Sequence, residues 1–323
     1  MQRLKRLLLT LTNKKDNALR VFIHIPKTAG TSFRASLEKN EYVVRDYGRG
    51  KEHTSDIVNE HVYESNDLYA LKESLSKRDT WLCGHMHLIK YLGIAEPQNM
   101  VTFVRDPVAR VISHFNHEAR WGNSDVTIES FLNTHNANNS QHRFLNGLPI
   151  SLIGFVGITE EYSKSLALLE SQMAIKVEEA RFNENDKKVS DVSDLDSEIV
   201  ARIKEQNTLD QNIYTCAKRI LKQREALEKN GEAWTYIHAA LFSDGVMRGL
   251  AYRRASNVPV ELEIKIDGQR HSIVLASDQT SLFPNAKFPR EGFVGFSVTL
   301  SSVADNSKIE LLVTDTGQDY HVV

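Results

Sequence analysis

The chain has 323 residues, of which 41% are hydrophobic and 25% are charged, and its formal net charge is -2 at pH 7. This composition is typical of a globular protein and excludes collagen-like, low-complexity and mainly disordered chains. The small net charge gives no general basic surface for nucleic acid, so an anion-binding site must be local. The 2 cysteines, Cys83 and Cys216, form no disulfide framework and predict reduced thiols in a reducing compartment.

Residues 1–19 are a basic leader that contains one short apolar run, from Leu7 to Leu11. A membrane-spanning helix needs about 20 apolar residues, so this run is too short to be an anchor. No small-residue cleavage site follows it, which argues against a signal peptide. We therefore predict a frayed leader and a cytoplasmic protein without an integral membrane segment. Because basic residues interleave with the leucines, a weak contact with a membrane surface stays open as an alternative.

Short apolar segments alternate with helical patterns over residues 20–230, which predicts a parallel α/β sheet. In such a sheet, ligands bind at the carboxyl ends of the strands, where this sequence has Lys27, His85 and Arg105. The four candidate strands are Val21 to Ile25, Thr80 to Cys83, Met100 to Val104 and Phe155 to Ile158.

A helix is predicted to begin at Pro107 with Asp106 as its cap. Its apolar face is formed by Val108, Val111, Ile112 and Phe115. Further helices are expected over Glu160 to Ser171, Leu195 to Asn207 and Leu209 to Lys229, and a polar loop over 180–194.

The pattern becomes β in the C-terminal part, residues 240–323, where we predict a small sandwich-like all-β domain with no catalytic cluster. Asp267-Gly268 is a hairpin turn signal between two alternating segments. The candidate strands are Val258 to Ile266, His271 to Ala276, Phe293 to Leu300 and Lys308 to Thr314.

The segment from His24 to Phe33, HIPKTAGTSF, has the residues of a phosphate-binding loop. Lys27 supplies a positive charge, and Gly30 lets the backbone approach an anion closely. Thr31 and Ser32 supply hydroxyl and N–H groups at a helix N-terminus. Because Lys27 precedes Gly30, the segment is not a Walker A loop, which argues against an ordinary ATPase or GTPase. His24 is interpreted as a strand residue.

A second motif runs from Val101 to Phe115. It places Arg105 at a strand end and Ser113 8 residues later, about two helical turns on. Together the two side chains can grip a phosphate through charge-assisted hydrogen bonds. A simple ion pair of Arg105 with Asp106 is the structural alternative. Arg110 is interpreted as an ion-pair residue, with a nucleotide contact as the alternative.

The paired motifs resemble the 5'-phosphosulfate loop and the 3'-phosphate motif of carbohydrate sulfotransferases that use 3'-phosphoadenosine 5'-phosphosulfate (PAPS). The most similar branch contains heparan sulfate 2-O-sulfotransferase and many bacterial relatives, and the resemblance covers about residues 20–228. It implies a P-loop NTPase-like parallel sheet flanked by helices, without the metal chemistry of that fold. Further similar segments are Gly84-His85, Asn139 to Leu145, Val156 to Glu160, and Leu209-Asp210 with Tyr214.

The resemblance also implies roles for individual residues. Lys27 would contact the bridging or 5'-phosphosulfate oxygens and offset charge on the leaving group. His85 would be the catalytic base; the alternatives are a purely structural role for His85 and His87 as the base. The residues that would hold PAPS are Lys27, Thr28, Ala29, Gly30, Thr31, Ser32, Arg105 and Ser113.

No metal is expected, because the pair His85 and His87 lacks the third protein ligand that zinc requires. Asn139, Gln141 and Arg143 either line an acceptor cleft or decorate a loop.

The function predicted is transfer of a sulfuryl group from PAPS to a hydroxyl, of a glycan or of a small alcohol. The alternatives are a nucleotide-dependent kinase-like transferase and a non-catalytic module that binds PAPS or a glycan. Animal relatives are anchored in the Golgi membrane and have no counterpart of the β domain, so we expect a bacterial cytosolic setting. The sequence does not indicate the acceptor hydroxyl or the oligomeric state.

Overall fold

The computed structural model describes residues 18–121, 126–178, 195–300 and 307–322. The strands are β1 (Leu19–Ile23), β2 (Val43–Asp46), β3 (Thr80–Gly84), β4 (Met100–Val104), β5 (Phe155–Ile158), β6 (Thr235–Leu241), β7 (Val246–Arg253), β8 (Val260–Ile266), β9 (Gln269–Ala276), β10 (Asp278–Gln279), β11 (Phe293–Thr299), β12 (Ile309–Val313) and β13 (Asp319–His321). The α-helices are α1 (Gly30–Asn40), α2 (Asp56–Val58), α3 (Leu68–Leu75), α4 (Pro107–Trp121), α5 (Ile128–Leu132), α6 (Ser140–Leu145), α7 (Tyr162–Met173), α8 (Ser197–Gln206) and α9 (Thr208–Asn230).

The first five strands form one parallel sheet in the order β2-β3-β1-β4-β5. Every residue of β3, β4 and β5 is buried, as expected for strands that helices cover on both faces. The predicted α/β sheet is thereby confirmed. Since β1 lies between β3 and β4, the segments that follow these strands leave the sheet side by side. Lys27, His85 and Arg105 are therefore brought to one edge.

Helix α4 has the predicted local structure. Asp106 accepts a hydrogen bond from the Ala109 N–H group at 3.0 Å and so caps the helix. The predicted apolar face is buried in one cluster, which α5 and α8 complete. This packing holds α4 in place behind the Arg105 strand end.

The C-terminal strands form two four-stranded antiparallel sheets, β10-β11-β7-β6 and β13-β12-β8-β9, around one apolar core. This arrangement confirms the sandwich-like β fold. Asp267 and Gly268 have φ values of 51° and 79° and connect β8 to β9, as the turn signal predicts.

The sandwich packs against the α/β part through aromatic side chains. The Tyr236 hydroxyl donates to the Gly154 carbonyl at 3.2 Å. The buried Arg224 guanidinium of α9 lies over the Trp234 ring, 4.3 Å from its centroid. The division of the chain into domains at 230–240 stays a prediction.

Several details differ from the sequence predictions. Strands β2, β6, β7, β10 and β13 are not among the predicted strands. The first strand ends at Ile23, and a 3₁₀ turn, Thr159–Glu161, precedes α7. The predicted loop over 180–194 and residues 1–17 of the leader lie outside the described residues. Within the described part of the chain, no helix is both long and apolar enough to cross a membrane.

Gly84 is required where β3 meets β2. A Cβ atom at this position would lie 1.7 Å from the Asp46 carbonyl oxygen, which is backbone and cannot move aside. We expect Gly84→Ala to lower the free energy of unfolding by about 2–3 kcal/mol through overpacking. Urea denaturation, with Gly93→Ala as the control, tests this. A Cβ on Gly93 meets its nearest atom at 3.8 Å, and equal midpoints for the two variants would contradict the prediction.

Candidate active site

A cavity of about 880 Å³ opens at the carboxyl edge of the parallel sheet. The structure brings both phosphate motifs and the histidine after β3 to this one cavity. The predicted site residues that line it are Lys27, Ala29, Gly30, Thr31, Ser32, His85, Arg105 and Ser113.

Thr28 is the exception among the predicted binding residues. Its side chain is fully buried, and its hydroxyl donates to the Ile25 carbonyl at 2.9 Å. The Thr28 hydroxyl therefore stabilises the turn of the loop and does not line the cavity.

The first motif forms a tight turn between β1 and α1. Lys27 and Ala29 have φ values of 71° and 65°, in the left-handed region that costs a non-glycine residue about 1 kcal/mol or more. Ala29 is the N-cap of α1, and its methyl side chain forms no capping hydrogen bond. The first N–H groups of α1, which have no carbonyl one turn earlier, thus face the cavity end of the helix. This arrangement suits an anion.

The second motif is joined to the first by a hydrogen bond. Arg105 Nη1 donates to the Lys27 carbonyl oxygen at 3.3 Å. Arg105 Nε is buried without a hydrogen-bond acceptor among the described residues, and the Glu160 carboxylate is 4.0 Å away. Ser113 lies on the cavity side of α4. The Arg105 side chain lines the cavity and is 30% exposed, so an added anion could meet its guanidinium there.

The main chain of Arg105 is held by the side chain of Gln141. The Gln141 amide accepts from the Arg105 N–H group at 2.8 Å and donates to the Arg105 carbonyl at 2.9 Å. Gln141 is fully buried, so it supports the site from behind and lines no cleft. Asn139 and Arg143 also bond within the protein: Asn139 accepts from the Leu209 N–H group, and Arg143 donates to backbone carbonyls.

Arg110, which was interpreted as an ion-pair residue, is fully buried in α4. Its Nη2 donates to the Asn136 carbonyl at 3.0 Å. No ion pair of Arg110 with a carboxylate occurs among the described residues, so the structure favours a packing role. Burial lowers the pKa of its guanidinium to about 10.

The positive charges of the cavity lie close together. Burial, with the charges of Arg105 and Arg120, lowers the pKa of Lys27. Burial also lowers the pKa of Arg105, although Glu160 opposes the effect. In the described part of the chain, no carboxylate forms an ion pair with Lys27. The cavity thus has an excess of positive charge that an anion would offset.

His85 and His87 point to different surroundings. The His85 ring is exposed in the cavity and packs edge-on against the His24 and Tyr47 rings, at centroid distances of 4.4 and 4.9 Å. His87 Nδ1 instead bonds to the Arg143 carbonyl at 2.7 Å, and the ring stacks on Phe144. The geometry therefore favours His85 over His87 as a group that meets a substrate.

The His85 imidazole is a weak base in the free protein. Desolvation by the surrounding protein, with the charge of Arg34, lowers the pKa of His85 below its usual value, although the residue is exposed to solvent in the cavity. At pH 7 the ring is therefore neutral and has a nitrogen lone pair available to accept a proton.

Sequence reasoning missed several cavity residues. His24 was interpreted as a strand residue, yet its side chain lines the cavity. His114 and His117 follow Ser113 on α4, and the spacing of four residues from Ser113 to His117 could have indicated the second. The 3₁₀ turn after β5 and the first turn of α7 contribute the further residues Thr159, Glu160, Glu161, Tyr162, Ser163 and Lys164.

Metal ligation is not apparent at this edge of the sheet. Among the residues that the structure describes, no group of three or more His, Cys, Asp or Glu side chains is arranged to hold a metal ion.

The family comparison agrees with the fold and the cavity. The family model described as Sulfotransferase family matches residues 11–215, more than half of the 323-residue chain. The chain therefore belongs to the sulfotransferase family and is a sulfotransferase enzyme.

Two further comparisons add less. A crystal structure of a sulfotransferase from Alicyclobacillus acidocaldarius is similar at 12% sequence identity and a TM-score of 0.35, over 61% of this chain and 94% of that chain. A similarity this low carries no argument about substrate or mechanism. The comparison with curated proteins gives no match.

Buried neutral histidines should make the protein less stable in mild acid. Burial holds the pKa of His24 well below 6.5 and lowers that of His114 to about 3. Below about pH 6.5 the unfolded chain binds more protons than the folded one, so stability present above this pH is lost as the pH falls. We expect each of these two histidines to lower the free energy of unfolding by about 1 kcal/mol at pH 5.5.

Urea denaturation between pH 7.5 and 5.5 measures this effect. His114→Gln should reduce the loss of stability over that range by roughly the share of one histidine. A pH profile that is flat, or identical in the variant, would contradict the assignment of these neutral rings.

Proposed function

We propose that this sulfotransferase uses PAPS as its donor and transfers the sulfuryl group to a hydroxyl of a glycan. The observation that carries the proposal is the meeting of both phosphate motifs and His85 in one cavity. The proposal includes a cytoplasmic setting and a relationship to the heparan sulfate 2-O-sulfotransferase branch, on the sequence resemblance. A small-alcohol acceptor is the alternative.

The size and charge of the cavity suit PAPS, a nucleotide with a phosphosulfate at the 5' position and a phosphate at the 3' position. The cavity volume of about 880 Å³ lies within the range of about 300–1,000 Å³ that small-molecule sites occupy. The N-terminus of α1 and Lys27 would hold the 5'-phosphosulfate. Arg105 and Ser113, which both line the cavity, would hold the 3'-phosphate. The charge of an anion would also offset the cost of desolvating the two cations.

The chemistry is an in-line displacement at sulfur. The acceptor oxygen forms a bond to sulfur while the bond from sulfur to the 5'-phosphate oxygen breaks. The acceptor proton passes to an imidazole nitrogen of His85, and Lys27 offsets the charge that appears on the leaving oxygen. The products are a sulfate ester and adenosine 3',5'-bisphosphate, so atoms and charge balance without a metal-bound group.

A binding experiment tests the donor. Purified protein is titrated with adenosine 3',5'-bisphosphate, with AMP and with ATP, all without magnesium. We expect the bisphosphate to bind best, because a charge-assisted bond is worth on the order of 1.5–3 kcal/mol. Arg105→Ala should weaken bisphosphate binding about 10- to 100-fold and bring it near that of AMP.

The control is Arg253→Ala, because Arg253 pairs with Asp315 in the sandwich, away from the cavity. This variant should bind like the wild type. Equal or tighter binding of ATP, or no binding of the bisphosphate, would remove PAPS as the donor. It would favour a donor without the 3'-phosphate.

A kinetic experiment tests the base. His85→Ala should lower kcat by ~10²-fold or more and leave bisphosphate affinity within a few-fold of wild type, because the ring acts on the acceptor proton. Transfer of labelled sulfate from PAPS to a panel of glycans and alcohols gives the rates.

His87→Ala serves as the matched control. Its Nδ1 already bonds to the Arg143 carbonyl, so this variant should turn over at close to the wild-type rate. A near-normal rate for His85→Ala, or a larger loss for His87→Ala, would contradict the assignment of the base.

A further inference from the structure

His24 directly follows strand β1, yet its side chain lines the cavity. Its backbone N–H group continues the pairing of β1 with β3 by donating to the Gly84 carbonyl at 2.9 Å. Its side chain turns toward the cavity and is only 5% exposed. One face of the ring stacks on Phe22. The imidazole therefore lies as a fixed group beneath the phosphate loop.

One edge of the imidazole packs against the start of α1. A Cβ atom on Gly30 would lie 2.0 Å from His24 Cδ2 and 2.4 Å from Nε2. Glycine at this position is thus what lets the ring approach the helix. As a result, Nε2 lies against Gly30, the first residue of the helix whose N-terminal N–H groups we propose to hold the 5'-phosphate.

The other ring nitrogen is occupied. Nδ1 of His24 lies 3.2 Å from the Tyr47 hydroxyl. A tyrosine hydroxyl that is shielded from water normally finds an acceptor for its proton, and the half-buried Tyr47 has Nδ1 within reach of its hydroxyl. When Tyr47 donates to Nδ1, the ring proton must be on Nε2. Among the described residues, no hydrogen bond of the ring involves Nε2.

We propose that His24 donates a hydrogen bond from Nε2–H to an oxygen of the 5'-phosphate of the donor nucleotide, in a tautomer that Tyr47 fixes. The inference rests on the proposed function and extends it to a pair of residues. It assigns His24 contact with the substrate and Tyr47 a positioning role.

Electrostatics support a neutral donor at this point. Burial is the main reason why the pKa of His24 is well below 6.5. Electrostatic interactions with His85, Arg34 and Lys27 lower this pKa further. A neutral imidazole adds a hydrogen bond without adding a charge beside Lys27 and the positive end of α1. That bond strengthens as charge moves onto the leaving phosphate, so it lowers the barrier more than it tightens ground-state binding.

The tautomer can be observed directly. In ¹⁵N-histidine-labelled wild type, we expect the His24 signals of a neutral ring protonated on Nε2, assigned by their loss in His24→Asn. Adding adenosine 3',5'-bisphosphate should shift the Nε2 resonance and slow exchange of its proton. A ring protonated on Nδ1, or signals that the bisphosphate leaves unchanged, would overturn the inference.

Two matched variants separate donation from packing. The amide nitrogen of Gln can stand near the position of Nε2, whereas the shorter Asn reaches only the position of Nδ1. We expect His24→Asn to lower kcat/KM for PAPS about tenfold or more, and His24→Gln to restore much of that loss. Equal losses in both variants, together with lowered thermal midpoints, would show that the ring only fills space.

Tyr47→Phe tests the positioning role, because it keeps the ring packing against His85 and removes only the hydroxyl. We expect a several-fold fall in kcat with a near-normal thermal midpoint and a mixture of His24 tautomers. An unchanged tautomer and rate would overturn the role of Tyr47. A wild type that binds no bisphosphate would instead refute the proposed donor, and this inference with it.

Discussion

The constraint on which this site depends is the repulsion between two desolvated cations, Lys27 and Arg105, at neighbouring strand ends. The described residues supply no carboxylate partner for Lys27, so the fold must hold the charges together by other means. The backbone does this. Lys27 has a left-handed conformation, and the Gln141 side chain bonds to both the N–H group and the carbonyl of Arg105. Such sites lower the stability of the free protein and are stabilised by the anion they bind.

Gln141 is held in place by the N-termini of α6 and α9, which cap each other. Asp210, at the beginning of α9, accepts hydrogen bonds from the Gln141 and His142 N–H groups at the start of α6. In return, Asn139 accepts from the Leu209 and Asp210 N–H groups. These segments resemble the family in sequence, yet their residues lie behind the site. Their contribution is to fix the position of Arg105.

Whether a feature of the site can be predicted from the sequence depends on how far apart its residues lie along the chain. The turn from Lys27 to Ser32 and the pair Arg105 and Ser113 are local, so a short motif contains all their geometry. Gln141 reaches Arg105 across 36 residues, and Tyr47 reaches His24 across 23. These contacts exist only once the parallel strands are in register. The edge strand β2 was missed for a similar reason, because its four residues alternate in burial and make no continuous apolar run.

Burial is the main cause of the low pKa values of His24, His85 and His114, and nearby cations lower these pKa values further. Lys27 contributes to the low pKa of His24 and of His114, and Arg34 to that of His24 and His85. An anionic donor bound between these groups would offset their field and would raise the proton affinity of His85. The base would then be weakest in the empty site and stronger once the donor is in place. Binding of the donor would therefore be coupled, through charge, to the readiness of His85 to accept the acceptor proton.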